Sequence, residues 1–148
     1  MKRLSIVSLV LAIVGAGISG YLTYVHYNLD ALVCAGGGCE IVQTSRYSEI
    51  MGIPVALMGL LMFLAVIALI VVRDRIEEYA YLANAGIMIL LVSSLIYFGY
   101  LTYLEANVIH AWCQWCVATS IVAVILFLVE AFRMRDDFRD PDDIPEYA

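Results

Sequence analysis

Charged side chains are scarce in this chain, and basic ones are the scarcest. Only 15% of the 148 residues are charged, and eight of those are Lys or Arg, whereas 64% of the residues are hydrophobic. So few charges do not cover an apolar chain of this size in water, which excludes a water-soluble fold. Six of the fourteen acids lie in residues 136–148, so the net charge of −6 arises mainly from this C-terminal segment and does not indicate a charged binding surface. Nucleic-acid binding has no support.

Long apolar segments take the place of charge. Four of them, residues 4–25, 53–72, 80–104 and 112–132, each have the length of about 20 residues that a helix needs to cross a bilayer. We therefore predict an all-α membrane protein, with a four-transmembrane-helix bundle over residues 1–135 and an acidic cytoplasmic tail over residues 136–148. The first segment is too long for a signal peptide and lacks a good cleavage site, so we expect it to remain.

The basic residues are distributed asymmetrically around these segments. Seven of the eight fall on one side: Lys2, Arg3, Arg73, Arg75, Arg133, Arg135 and Arg139. Cytoplasmic loops retain basic residues in excess, so both termini are predicted to be cytoplasmic, and residues 26–52 and 105–111 become the outer loops. All four cysteines then lie on the extracytoplasmic side. Within the first outer loop, residues 45–52 predict a short interfacial helix closed by Gly52.

The cysteines form two close pairs, Cys34 with Cys39 in CAGGGC and Cys113 with Cys116 in CQWC. Four cysteines allow three pairings, and the sequence alone selects none of them. The outer side of a membrane meets an oxidising compartment, where thiol pairs tend to be bonded or redox-active. The three glycines inside the first pair would let one disulfide close and reopen.

The CQWC pair stands at the start of the fourth apolar segment. Free backbone N–H groups and the helix dipole stabilise a thiolate at such a position. Cys116 lies one helical turn deeper than Cys113, so we expect Cys113 to face the aqueous loop and Cys116 to face the bilayer. This arrangement suits a relay in which electrons enter from a water-soluble dithiol and leave to a lipid-dissolved acceptor such as a quinone.

Other interpretations of these residues stay open. Two static disulfides would make the protein a non-enzymatic membrane scaffold, and four thiolates have the spacing to bind zinc. A transporter would require paired charges inside the membrane, which we do not expect from this sequence. Among the remaining polar residues, Asn84, Ser93 and Ser94 are interpreted as interhelical hydrogen-bonding groups, and Glu130 as a residue that reaches the lipid headgroups.

The order of these motifs resembles a known family. Cys34 and Cys39 are followed by Ser45 within CEIVQTSRYSEIMGIP, then by Gly59 and by CQWC at the last span. This order resembles the vitamin K epoxide reductase family in its microbial form, over about residues 4–132. The resemblance implies a four-helix bundle around a quinone pocket, capped by the first outer loop. It also implies a membrane thiol:quinone oxidoreductase of oxidative protein folding, which uses menaquinone, ubiquinone or a related quinone and no metal.

The resemblance also implies a role for each cysteine. In the family, the loop pair takes electrons from a thioredoxin-like partner and passes them to the CxxC pair, which reduces the quinone. By matching position, Cys34 would exchange with the partner, Cys39 would bond transiently with Cys113, and Cys116 would reduce the quinone. Ser45 would match the loop serine that helps to position the cysteines. Only an acidic tail follows the last span here, so the thioredoxin-fold partner is expected to act in trans.

The quinone pocket is expected to include Trp115, Ser120, Val55 and Gly59. Vertebrate members carry a tyrosine and an asparagine, which bind the quinone oxygens, where this chain has Ser120 and Val55. Vitamin K or its epoxide is therefore only one candidate substrate. The bacterial DsbB plan also has four spans and two cysteine pairs, but it places CxxC in the first outer loop rather than at span four.

Overall fold

The structure, a computed structural model, describes residues 2–35 and 37–139. Within these residues the α-helices are α1 (Lys2–Tyr27), α2 (Gly38–Thr44), α3 (Val55–Arg75), α4 (Ala80–Leu104) and α5 (Gln114–Asp137). The four long helices are long and apolar enough to cross a membrane, with mean hydropathies between 1.9 and 3.1. The prediction of an all-α, four-span bundle is confirmed.

The four long helices close into a ring in which each helix contacts two others. Helix α1 packs on α3 and α5, and α4 also packs on α3 and α5. Phe63 fills the centre of the core and is fully buried. It fits because Gly15 leaves room on α1, where a Cβ would overlap the Phe63 ring. Large apolar side chains such as Ile13, Ile89 and Ile96 point outward, as expected of faces that contact lipid.

A buried charge cluster ties the four long helices together at the end where α1 begins. The Glu130 carboxylate accepts hydrogen bonds from Arg73 Nη1 at 2.9 Å and from Arg133 Nε at 3.2 Å. Arg73 also donates to Ser5 Oγ, and Arg133 to the side-chain oxygen of Asn84. The expectation that Glu130 reaches the headgroups is wrong, because the two guanidinium groups neutralise it inside the bundle, where it is 1% exposed. Asn84 links helices as predicted.

The two serines in the middle of α4 behave differently from Asn84. Ser93 Oγ donates to Ile89 O at 2.7 Å, and Ser94 Oγ donates to Leu91 O at 2.8 Å. Both bonds lie within α4, so the prediction of interhelical bonds is wrong for Ser93 and Ser94. A serine hydroxyl in a helix finds a carbonyl one turn back without any partner from another helix.

The first outer loop contains a short helix, but at a different position from the one predicted. The α-helix is α2, which ends at Thr44. The predicted range 45–52 begins with a single 3₁₀ turn, Arg46–Ser48, and continues into a two-stranded antiparallel hairpin of β1 (Glu49–Ile50) and β2 (Ile53–Pro54). Met51 and Gly52 have φ angles of 54° and 82°, which a two-residue hairpin turn requires. The positive φ of Gly52 therefore serves this turn rather than a helix end.

Two sequence expectations fall partly outside the described residues. The predicted acidic tail begins inside α5, which continues to Asp137, and its residues 140–148 lie outside the described residues. Gly36 of the CAGGGC segment also lies outside them.

Candidate redox site

The four cysteines lie at one end of the bundle and are in two redox states. Cys34 and Cys39 form a disulfide with a Cα–Cα distance of 6.1 Å, whereas Cys113 and Cys116 are free thiols. Cys34 is half-buried in the segment before α2, and Cys39 is fully buried in the first turn of α2. The loop pair thus has one sulfur near the surface and one inside.

The structure brings the buried member of each pair into one cluster. Cys39 and Cys113 are both 0% exposed and pack with Leu22 and Val25 near the end of α1. The backbones of the two segments also touch, since a Cβ on Gly38 would overlap the carbonyl oxygen of Trp112. Cys113 therefore faces the loop, as expected, but it lies beneath α2 and not in water. The expected aqueous exposure of Cys113 was wrong because α2 covers it.

Cys113 stands immediately before the first residue of α5. A hydrogen bond from the Cys116 thiol, aided by the backbone N–H groups of Cys116 and Trp115, lowers the pKa of Cys113 to about 7. Burial opposes this change, but the hydrogen bonds outweigh it. Cys113 is thus the thiolate of the pair near neutral pH, which is the form that attacks disulfides.

A largely apolar cavity of about 720 Å³, counting its open mouth, lies beside Cys116 between the loop and the helices. Of the residues predicted to serve the site, five line it: Cys116, Ser120, Val55, Gly59 and Ser45. The apolar lining suits a quinone ring, and Cys116 is the cysteine that lines the cavity.

Trp115 is placed differently from the predicted pocket wall. Its ring packs against Tyr21 with centroids 5.1 Å apart, and its Nε1 donates to Val33 O at 2.7 Å. The Tyr21 hydroxyl accepts from Val33 N at 3.0 Å and donates to Ala31 O at 3.1 Å. The two aromatic residues hold the segment that leads into Cys34, and Trp115 lies outside the cavity lining.

A comparison with protein families agrees with this architecture. A family model described as the vitamin K epoxide reductase family matches residues 6–131, which is most of the chain. The chain belongs to the vitamin K epoxide reductase family. Members of this family are membrane oxidoreductases that use quinone-type substrates and act with thioredoxin-like redox partners. This member is accordingly a multi-pass membrane protein with disulfide chemistry.

Glu105 was missed by the sequence reasoning for this family member. It is 4% exposed, lines the cavity, and accepts a hydrogen bond from Cys113 N at 3.5 Å. Cys116 lines the same cavity. The sequence places Glu105 in an outer loop, where acidic residues are common. Its position eight residues before the CxxC pair is the only sequence feature that indicates a role in the site.

A second missed group connects α1 to the loop. His26 contacts Glu49 through Nε2 at 2.8 Å and Gln43 through Nδ1 at 3.4 Å. Gln43 belongs to α2 and lines the cavity, so His26 holds both the helix and the hairpin above the bundle. A lone histidine at the end of a span carries no sequence signal for these contacts.

Proposed function

We propose that this member of the vitamin K epoxide reductase family is a thiol:quinone oxidoreductase that makes disulfides for exported proteins. A thioredoxin-fold partner acting in trans would supply the electrons. Menaquinone, ubiquinone or a related quinone would receive them. Both termini would be cytoplasmic, with the four cysteines on the extracytoplasmic side.

The observation that carries the proposal is the order of the four sulfurs. Cys34 is half-buried beside Val33, whose side chain is 69% exposed, so a partner thiolate can approach it. Cys39 shares a buried cluster with Cys113, and Cys116 lines the cavity. Electrons can therefore pass inward without any thiol crossing the bundle.

Electrons would reach the CxxC pair by successive thiol–disulfide exchange. The partner's dithiol attacks at Cys34 and leaves as a disulfide, which reduces the loop pair by two electrons. The Cys39 thiolate then attacks Cys113 of an oxidised CxxC pair, which releases Cys116 as a thiolate. The Cys34 thiol then loses its proton to the Cys116 thiolate and attacks Cys39, which restores the loop disulfide and leaves Cys113 as a thiolate and Cys116 as a thiol. The redox states in the structure are those expected at this point, just before quinone reduction.

Cysteine variants in membranes supplied with quinone and a reduced thioredoxin-fold partner test this function. Cys113→Ala and Cys116→Ala should each abolish partner oxidation, whereas Ser93→Ala, which alters a hydroxyl bonded within its own helix, should leave it unchanged. Undiminished turnover in both cysteine variants would contradict the proposal. Disulfides that never exchange with partner or quinone would support a scaffold instead.

The transfer step has its own test. A variant that lacks Cys34 and Cys116 should accumulate a bond between Cys39 and Cys113, because the thiols that would resolve it are gone. Non-reducing electrophoresis and mass spectrometry of the linked peptides detect this bond. Its absence under mild oxidation would refute direct transfer between the two pairs.

A further inference from the structure

The cavity beside Cys116 contains a carboxyl group that the exchange steps do not use. Glu105 begins a π-helical turn, Glu105–Ile109, directly after α4, and its main-chain oxygen accepts from Ala111 N at 3.2 Å. Glu105 thus fixes the short connection to CQWC with two hydrogen bonds. Its main-chain oxygen accepts from Ala111, and its carboxyl group accepts from Cys113. Its side chain is kept at the CxxC pair and beside the cavity.

The surroundings of Glu105 differ from those of the other buried acid. Glu130 pairs with two arginines. Among residues 2–35 and 37–139, Glu105 forms no ion pair with Lys, Arg or His. A buried acid without a cation is costly as a fixed charge and is typical of sites that gain and lose a proton. The one hydrogen bond of the Glu105 side chain among the described residues leads to Cys113, and the cavity that it lines is the one that Cys116 lines.

The hydroxyl groups that line the cavity are less suited to proton transfer. Four of the six already donate to backbone carbonyl oxygens at 2.8 to 2.9 Å: Ser45, Ser48, Thr102 and Ser120. The other two belong to Ser19 and Tyr47, and a serine or tyrosine hydroxyl is a far weaker acid than a carboxyl group. Glu105 is the one carboxyl group among the described residues that line the cavity. Reduction of a quinone to a hydroquinone consumes two protons along with two electrons, so the cavity requires a group that delivers them.

We propose that Glu105 carries a proton from the Cys116 thiol to the quinone oxygen, a role that rests on the proposed function above. The Glu105 carboxylate takes the proton of Cys116, and the Cys116 sulfur bonds to the quinone, which moves an electron pair onto one quinone oxygen. Glu105 returns the proton to that oxygen. The Cys113 thiolate then attacks the Cys116 sulfur, which forms the disulfide, breaks the bond to the quinone and leaves an electron pair on the second oxygen. That oxygen takes a proton from water, which replaces the proton that Cys39 gave up before exchange. Dithiol and quinone thus become disulfide and hydroquinone, with Glu105 unchanged.

Glu105→Gln separates proton transfer from positioning. The glutamine side-chain oxygen still accepts from Cys113 N but takes no proton, so kcat for quinone reduction should fall by about 100-fold or more. The KM for the quinone and the rate of thiol exchange with the partner, measured without quinone, should stay unchanged. Glu105→Asp restores the carboxyl group and should recover part of kcat. Glu78→Gln, at an exposed acid beyond the other end of α4, should match the wild type.

The outcomes are distinguishable from failure of the proposed function. If the wild-type protein oxidises no partner with quinone, the proposed function fails. If the wild type is active and Glu105→Gln keeps its kcat, the inference on Glu105 fails while the function stands. Equal loss in Glu105→Gln and Glu105→Asp would likewise overturn it, since it would point to shape rather than to the proton. If Glu105→Gln folds poorly, the kcat of Glu105→Asp decides instead. The proposal then requires a kcat that is reduced but measurable. A folded Glu105→Asp protein without any turnover would refute the proposal.

Discussion

Replacing Gly38 by alanine tests whether the contact between α2 and the CQWC turn brings Cys39 to Cys113. The added Cβ would overlap the carbonyl oxygen of Trp112, a backbone atom that no side-chain rotation moves away. An extra methyl group in a packed contact typically costs about 1–3 kcal/mol. Each 1.4 kcal/mol is a factor of ten, so the docked position of α2 should be populated about 5- to 150-fold less.

The assay is formation of the Cys39 to Cys113 bond in a background without Cys34 and Cys116. Gly38→Ala should slow its formation under mild oxidation by the same factor, read as the rate of appearance of the cross-linked form. Gly17→Ala is the matched control, because a Cβ on Gly17 meets nothing within 4 Å. An unchanged rate in Gly38→Ala would show that the two cysteines meet without this contact.

Three further results are expected. Glu130→Gln should lower the free energy of unfolding in detergent by about 3 kcal/mol, because it removes the buried carboxylate between Arg73 and Arg133 and leaves them only the more exposed carboxylates of Asp74 and Asp137; an unfolding midpoint equal to that of Glu78→Gln would contradict this. With the loop disulfide intact, the first thiolate absorbance should appear with a midpoint near pH 7 and grow as pH rises, since Cys113 is the thiol with the lowered pKa. Cys116→Ala removes the main hydrogen bond and should move that midpoint up towards about 8.5, and an unmoved midpoint would refute the cause. Trp115→Phe loses its bond to the loop, so partner exchange should slow while the KM for quinone stays constant; the reverse would make Trp115 a pocket wall.

Much of the bundle follows from local properties of the chain. A span of Leu, Ile, Val and Ala near residue 60 forms a helix in lipid whatever it packs against, because each backbone group must be satisfied within the helix. The interfacial helix was placed wrongly because loop signals are weaker. Gly52 is as typical of a hairpin turn as of a helix end, and only the pairing of Glu49–Ile50 with Ile53–Pro54 decides between them.

In the candidate site, too, some residues were predictable from the sequence and others were not. The cysteine spacing and the family resemblance pointed to the relay residues, and the structure groups Cys39 with Cys113. Glu105 and Tyr21 gave no usable signal, since an acid in a loop and a tyrosine at a membrane boundary are both ordinary. The importance of Tyr21 lies in its contacts with Val33 and Trp115. The importance of Glu105 lies in its burial beside the cavity and in its bond to Cys113, which the fold of the connection sets.

The sequence by itself determined that this protein crosses the membrane four times and has two cysteine pairs, one in the first loop and one at the start of the last apolar segment. These properties depend on composition and spacing, which lie in the chain itself. Only the tertiary structure decided that Cys113 is covered by α2, that Cys116 faces a cavity, and that of two buried acids Glu130 is neutralised while Glu105 is not. Those outcomes depend on distances between residues that are remote in sequence, and packing of the helices and the loop sets those distances.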